Sequence, residues 1–283
     1  MIATPWIAAV AAIFLWWFST GILLWRVRVA DNGGPDQHLW SVLLSLPLLA
    51  AGGIGFSMTL GNETPQGVFL AFLSAMAIWG WIELAFLSGI ITGPNKRPCP
   101  PQSTLNDRFL RGFGALAWHE LTLLVALLGL ATLSKGDDHS FALWTFAILF
   151  FARISAKLNL FFGVPRINTQ FLPRPLRHLS SYFRQGPFTP MFPLSITLLS
   201  FAVGCMIERL WQAQTPGDIT GFALLTALAL LALLEHWFMV LPLPDEKLWR
   251  WMLPAPKPLP NTRLPTKANS ISKDRMQEDP HGF

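Results

Sequence analysis

The sequence is poor in charge. Only 13% of its 283 residues are Asp, Glu, Lys or Arg, whereas 52% are hydrophobic. A soluble domain carries roughly twice that share of charged residues, because charged side chains cover its water-exposed surface. The composition therefore excludes an ordinary soluble domain and indicates a protein whose main surroundings are lipid.

Cysteine and recognisable catalytic motifs are also scarce. Cys99 and Cys205 are far apart, and neither lies in a CxxC motif or a Cys/His run, so no zinc or redox site is indicated. The chain has no Gly-rich phosphate loop, serine-nucleophile motif, aromatic–basic nucleic-acid signature or internal repeat. The net charge of +5 is better explained by basic residues that contact anionic lipid than by nucleic-acid binding.

What the sequence has in abundance is long apolar runs. A bilayer core requires about 20 apolar residues per helix, and breakers such as Gly33-Gly34-Pro35 and Pro216-Gly217 separate successive runs. We therefore predict an all-α polytopic membrane protein, a bundle of seven transmembrane helices within residues 1–253. The predicted spans are residues 5–27, 38–60, 66–92, 110–134, 139–163, 189–212 and 217–242.

The basic residues predict the orientation of these spans. Of the 21 Lys and Arg residues, two follow span one, four follow span three, four follow span five and seven lie beyond span seven. The opposite side has only Lys135 and Arg209. Because cytoplasmic loops are enriched in Lys and Arg, we predict an N-terminus outside the cytoplasm and a cytoplasmic C-terminus.

Two segments outside the spans are also interpreted. Residues 254–283 are rich in Pro, Lys, Asn and Ser, which predicts a disordered cytoplasmic tail. The connection of about 25 residues between spans five and six is expected to hold an interfacial helix or a partner contact.

Ionisable residues inside the spans are the candidate functional site, because each is costly in a membrane. By helix register they lie at one depth, roughly 9 to 15 Å from the predicted cytoplasmic end. We therefore predict a convergent polar cluster, with Asn159 on an adjacent turn. Its members are Glu83, His119, Glu120, Arg153, Lys157, Asn159, Glu235 and His236.

This cluster has several interpretations, and the sequence does not choose among them. The first is a structural ion-pair network, with Glu83 paired to Arg153, Glu120 to Lys157, and Glu235 near His236. The second is an iron or zinc site, although no ExxH or HExxH spacing supports it; its candidate ligands are Glu83, His119, Glu120, Glu235 and His236. In the third, His119 or His236 ligates the magnesium of a chlorin. A proton or substrate path is a further interpretation.

Four separated blocks resemble the photosynthetic complex assembly protein 2 family (PuhE) of phototrophic bacteria. The likeness extends to about residue 254, and the blocks contain the ionisable residues described above. They are residues 81–89 (WIELAFLSG), 118–120 (WHE), 152–164 (ARISAKLNLFFGV) and 235–245 (EHWFMVLPLPD), the last followed by 248–251 (LWRW).

The resemblance implies a protein of the bacterial inner (intracytoplasmic) membrane, with a periplasmic N-terminus, encoded among photosynthesis genes near the reaction-centre H subunit. It further implies an assembly factor for the reaction centre and core light-harvesting complex, linked to bacteriochlorophyll supply. The expected partners are membrane lipid, subunits of these complexes or pigment-biosynthesis enzymes. No cofactor is identified; bacteriochlorophyll or a precursor is a candidate, ahead of iron or zinc. No accepted chemistry accompanies the family, so a non-enzymatic role is favoured. The alternative is a metal-dependent intramembrane oxidoreductase of bacteriochlorophyll or carotenoid biosynthesis.

Overall fold

The computed structural model describes residues 4–34, 36–136, 140–169 and 172–242. These residues form an all-α structure, with one isolated parallel bridge between Val164 and Gln185. The helices are α1 (Pro5–Asn32), α2 (Gln37–Leu44), α3 (Leu46–Thr59), α4 (Pro65–Leu87), α5 (Leu105–Leu133), α6 (Phe141–Phe162), a 3-10 helix (Arg174–Tyr182), α7 (Met191–Gln212) and α8 (Pro216–Phe238).

Seven helical segments are long and apolar enough to cross a membrane, with α2 and α3 together forming the second. The predicted all-α class and the number of seven spans are thus confirmed for the described residues. The second span is not one continuous helix as expected, because it breaks at Ser45. Pro47 explains the break, since it has no N–H for the helical hydrogen bond to Leu43. The predicted tail, residues 254–283, lies outside the described residues.

Local sequence signals fix where several spans begin. Thr64 and Thr215 cap α4 and α8, and each side-chain oxygen accepts a hydrogen bond from the backbone N–H three residues later. A proline occupies the first position of both helices, where its missing N–H costs no helical bond. Thr104 caps α5 in the same way, accepting from the N–H of Asp107.

The bundle is built around α4 and α8. More than half of the apolar window of each is buried, 56% for α4 and 61% for α8, against 17% for α1, α5 and α7. Phe72 on α4, Phe146 on α6 and Leu224 on α8 are fully buried side chains of this centre. Because α4 and α8 occupy the interior, their polar residues face other helices or internal space, whereas the outer helices present apolar side chains outward.

Small residues allow α3 and α4 to pack closely. A Cβ atom on Gly55 would overlap the Ser74 hydroxyl, and one on Gly52 would lie 2.9 Å from Ile78. Such close backbone packing stabilises helix pairs in membranes, where apolar side chains gain little from leaving lipid. The α3–α4 pair thereby holds α4 in place, and α4 carries Glu83.

The connections after spans one, three and five meet at one end of the bundle. Asp31 at the end of α1 accepts from the Arg174 N–H at 3.1 Å. The Tyr182 hydroxyl of the 3-10 helix donates to the Arg97 carbonyl at 2.9 Å. The alternation that placed the basic residues on one side therefore agrees with the chain path. Which side of the membrane this end faces remains a prediction.

The connection between α6 and α7 does contain a short helix, the 3-10 helix. Its side chains Leu176, Leu179 and Tyr182 are buried and pack with Phe86 of α4 and Ala115 of α5. It is therefore part of the bundle's packed end, and not only an interfacial segment as the sequence suggested.

Candidate functional site

Five of the predicted polar residues form one connected set, here named the charged cluster: Glu83, His119, Glu120, Arg153 and Lys157. Arg153 Nη2 donates to Glu83 Oε2 at 2.8 Å, and Lys157 Nζ donates to Glu120 Oε1 at 2.5 Å. Arg153 and Lys157 are four residues apart on α6 and therefore share one face. This face of α6 therefore binds Glu83 of α4 and Glu120 of α5.

His119 connects the two ion pairs. Its Nδ1 accepts from Lys157 Nζ at 3.0 Å, so the ring proton resides on Nε2, which lies 3.4 Å from Glu83 Oε1. The ring is fully buried and packs on Phe86, with ring centroids 4.1 Å apart. The charged cluster thus runs as one chain from Arg153 through Glu83, His119 and Lys157 to Glu120.

The loop after α4 fixes the position of His119. The Thr92 carbonyl accepts from the backbone N–H groups of Trp118 and His119, at 3.0 and 3.2 Å, and Asn95 donates its N–H to the Gly114 carbonyl at 3.1 Å. This contact requires glycine at position 93, because a Cβ there would overlap the Gly114 carbonyl oxygen. The loop therefore lies directly against α5 at the turn that carries His119.

His236 and Asn159 belong to a second set, here named the neutral polar chain: Ser155, Asn159, Ser195 and His236. His236 donates from Nδ1 to the Ala232 carbonyl at 2.8 Å and accepts at Nε2 from the Ser155 hydroxyl at 2.9 Å. Asn159 Nδ2 donates to the Ser155 carbonyl and to Ser195 Oγ. This chain joins α8, α6 and α7 without a formal charge.

Glu235 joins neither set. Its side chain is exposed to open space, and that space is a cavity of about 970 Å³ lined by α1, α4, α5, α6, α8 and the 3-10 helix. The ion-pair interpretation placed Glu235 near His236, but no contact between their side chains is found among the described residues. Neighbours on a helix point about 100° apart, so His236 faces α6 while Glu235 faces the cavity.

The cavity exists because α5 packs mainly on α6 and α4 and stands away from α1 and α8. Its walls are largely apolar and aromatic, including Trp16, Trp79 and Phe113. Phe113 and Leu234 are 55% and 44% exposed and do not close it. Five charged side chains of the predicted site contribute to the wall: Glu83, Glu120, Arg153, Lys157 and Glu235.

The arrangement does not favour a metal centre. Among the described residues, no group of three or more His, Cys, Asp or Glu side chains is placed to hold a metal ion. Oxygens of Glu83 and Glu120 are bonded to cationic side chains, which compete with a metal for the same lone pairs. The metal-dependent oxidoreductase hypothesis therefore gains no support from this geometry.

The histidines also do not fit as magnesium ligands of a chlorin. Neither His119 nor His236 lines the cavity. His119 directs Nδ1 to Lys157 and Nε2 toward Glu83, and both nitrogens of His236 are hydrogen-bonded within the protein. A macrocycle would have to displace these partners before either imidazole presented a free nitrogen.

Sequence reasoning missed Ser155, Ser195 and Phe86. Hydroxyl side chains are common in membrane helices, so a single serine carries little signal. Ser155 lies four residues before Asn159, a spacing that places the two on one face, and this signal was available. Nothing in the sequence marked Phe86 as the ring that packs on His119.

Fold and site together define a multi-pass, all-α membrane protein with a charged cluster and an internal cavity. Its sequence matches the profile of one family over residues 2–259, and the chain belongs to that family, described as Protein of unknown function (DUF3623). An "Uncharacterized 30.4 kDa protein in puhA 5'region" of Rhodobacter capsulatus is 57% identical over 251 residues, covering 89% of this chain and 92% of that protein. No solved structure matches the chain.

Proposed function

We propose that this protein is an assembly factor for the bacterial photosynthetic reaction centre and core light-harvesting complex, linked to bacteriochlorophyll supply or delivery. The observation that carries the proposal is the Rhodobacter capsulatus relative, whose name places it in the puhA 5′ region. That location agrees with the resemblance of four sequence blocks to a family encoded among photosynthesis genes.

The structure supports a role within the membrane and not at its surface. Large apolar side chains cover the outer faces of the bundle, among them Phe201 (72% exposed) and Trp211 (90% exposed) on α7. Such faces suit contact with lipid or with the membrane helices of pigment-binding subunits. The charged cluster, by contrast, is held within α4, α5 and α6 and fixes their packing.

The test is deletion of the gene in its phototrophic host, followed by complementation. Near-infrared absorption of isolated membranes reports the amounts of reaction centre and core antenna. We expect both to fall in the deletion strain and to be restored by the wild-type gene. Normal levels of both complexes in the deletion strain would overturn the proposal.

Variants in the complemented strain show whether assembly requires the charged cluster. We expect Lys157→Met to fail to restore the complexes, because it breaks the charged cluster and lowers the amount of folded protein. Glu208→Gln is the matched control, since Glu208 lies on α7 and bonds only to Gln212 among the described residues. Immunoblotting of the membranes shows whether each variant is present.

The proposed orientation is tested with Cys99, which lies at the basic end of the bundle. In a Cys205→Ala background, Cys99 is the single thiol of the chain. We expect a membrane-impermeant maleimide to label it in inverted inner-membrane vesicles and not in right-side-out spheroplasts. The reverse pattern would place this end, and the basic residues, in the periplasm.

A further inference from the structure

Glu235 is the ionisable side chain of the candidate site that has no hydrogen-bond or ion-pair partner among the described residues. No hydrogen bond or ion pair joins it to another described residue; the charges that act on it are those of Arg153 and Glu83. These two are already bonded to each other at 2.8 Å. Glu120 is likewise bonded to Lys157. Within the candidate site there are three carboxylates and two cations, and Glu235 is the carboxylate without a hydrogen-bonded partner among the described residues.

An unpaired carboxyl group facing apolar space costs several kcal/mol in a membrane on insertion scales. The cost falls when a hydrogen-bond donor occupies the space in front of it, because a buried polar group is costly mainly when it has no hydrogen-bond partner. Glu235 therefore favours a ligand that brings a hydrogen-bond donor.

The volume and lining of the rest of the cavity indicate the size and polarity of the ligand that carries the donor. About 970 Å³ is at the upper end of the usual range for small-molecule sites, about 300 to 1,000 Å³. Aromatic side chains on several walls, such as Trp79 on α4, Phe113 on α5 and Phe161 on α6, favour a flat apolar body. The open side near Phe113 and Leu234 admits such a molecule from the apolar surroundings of the bundle.

We propose that the cavity binds one flat, largely apolar molecule whose N–H or O–H group donates a hydrogen bond to Glu235. The inference rests on the proposed function only in that the ligand serves the assembly role. Binding itself requires neither the reaction centre nor the antenna, and so it is measured on the purified protein.

The experiment uses two probes with the same ring system, 1-aminoanthracene and 1-methylanthracene, which differ by an N–H donor. Their fluorescence is titrated with the full-length protein in mild detergent, against protein-free micelles. We expect the amino compound to bind up to about tenfold more tightly, the difference expected for one additional hydrogen bond. Equal binding of the two probes, as a site for lipid tails would give, overturns the proposal, as does no binding of either.

Variants locate the bound probe. We expect Glu235→Leu to bind both probes equally, and Glu235→Gln to keep part of the preference, because its amide oxygen still accepts a hydrogen bond.

Gly80→Leu adds a side chain to the cavity wall one turn before Glu83, where a Cβ would meet only Leu23 at 3.8 Å. This variant should weaken the binding of both probes. Unchanged binding would place the probes outside the cavity and overturn the proposal. Glu208→Gln should bind as the wild type does.

The two proposals fail separately. If Glu235→Leu loses the preference for 1-aminoanthracene while the deletion strain assembles its complexes normally, the cavity site stands and the assembly role falls. If the deletion strain loses the complexes while the wild-type protein does not distinguish the probes, the assembly role stands and the donor site falls.

Discussion

The charged cluster and the neutral polar chain lie on the same helix, α6, and illustrate two ways of placing polar groups in a membrane bundle. In the first, Arg153 and Lys157 bind carboxylates of α4 and α5. In the second, Ser155 and Asn159 bind His236 of α8 and Ser195 of α7 through neutral hydrogen bonds. Residues 153–159 thus connect α6 to four neighbouring helices.

The difference shows that residue type alone does not set the role of an ionisable side chain. His119 and His236 are each flanked in the sequence by a glutamate and a tryptophan. His119 bridges two ion pairs, whereas His236 bonds to a serine and a carbonyl. The partners available on the facing helix determine the outcome, and they predict unequal sensitivity to mutation.

Removal of Lys157 should have the largest effect. Lys157→Met leaves Glu120 without its cation and His119 Nδ1 without its donor, and breaking a buried pair costs about 3 to 5 kcal/mol. We expect a lower Tm of the purified protein in detergent. Lys135→Met is the matched control, since Lys135 lies exposed beyond the end of α5. Equal Tm values for the two variants would show that the charged cluster does not stabilise the fold.

Glu83 and Arg153 should be strongly coupled. Glu83→Gln leaves the Arg153 guanidinium without a counter-charge, and Arg153→Gln does the converse, so each single change is destabilising. The double variant should be less destabilised than the sum of the two, by about 1 to 3 kcal/mol. A double-mutant cycle of unfolding free energies measures this coupling, and additive effects would argue against the ion pair.

A break in the neutral polar chain should cost less. Ser195→Ala removes the bond from Asn159 Nδ2 and the local bond from Ser195 Oγ to the Met191 carbonyl, while Asn159 Nδ2 keeps its bond to the Ser155 carbonyl. We expect a loss of about 1 kcal/mol. Ser200→Ala, on the exposed side of the same helix, is the control. A loss as large as that of Lys157→Met would remove the distinction between the two sets.

The smallest effect is a pH dependence at His178 in the 3-10 helix, outside the spans. Burial, aided by repulsion from Lys96, lowers the pKa of His178 below its ordinary value of 6.5. As pH falls below that value, the unfolded chain is protonated first, so stability is lost with falling pH. His178→Gln should show a shallower decline in Tm between about pH 7 and pH 5. An identical decline would assign the pH dependence to other groups.

Much of the charged cluster could be predicted because charges in a low-dielectric bundle require counter-charges at the same depth. Helix register alone placed Glu83, Glu120, Arg153 and Lys157 in one layer, and one of the open interpretations paired them as the structure does. Register also set Glu235 and His236 about 100° apart on their helix, but it could not say which of the two faces the cavity, because it gives depth and spacing and not the direction in which a helix is rotated.

The sequence by itself determined the all-α class, the seven spans and the segregation of basic residues, since each follows from the cost of moving peptide and charged groups into lipid. Only the tertiary structure decided which helices lie at the centre, that α5 stands away from α1 and α8, and that Glu235 faces the resulting cavity. The physical reason is that lipid and protein interior are similarly apolar, so hydropathy does not distinguish a helix face that contacts lipid from one that lines a cavity.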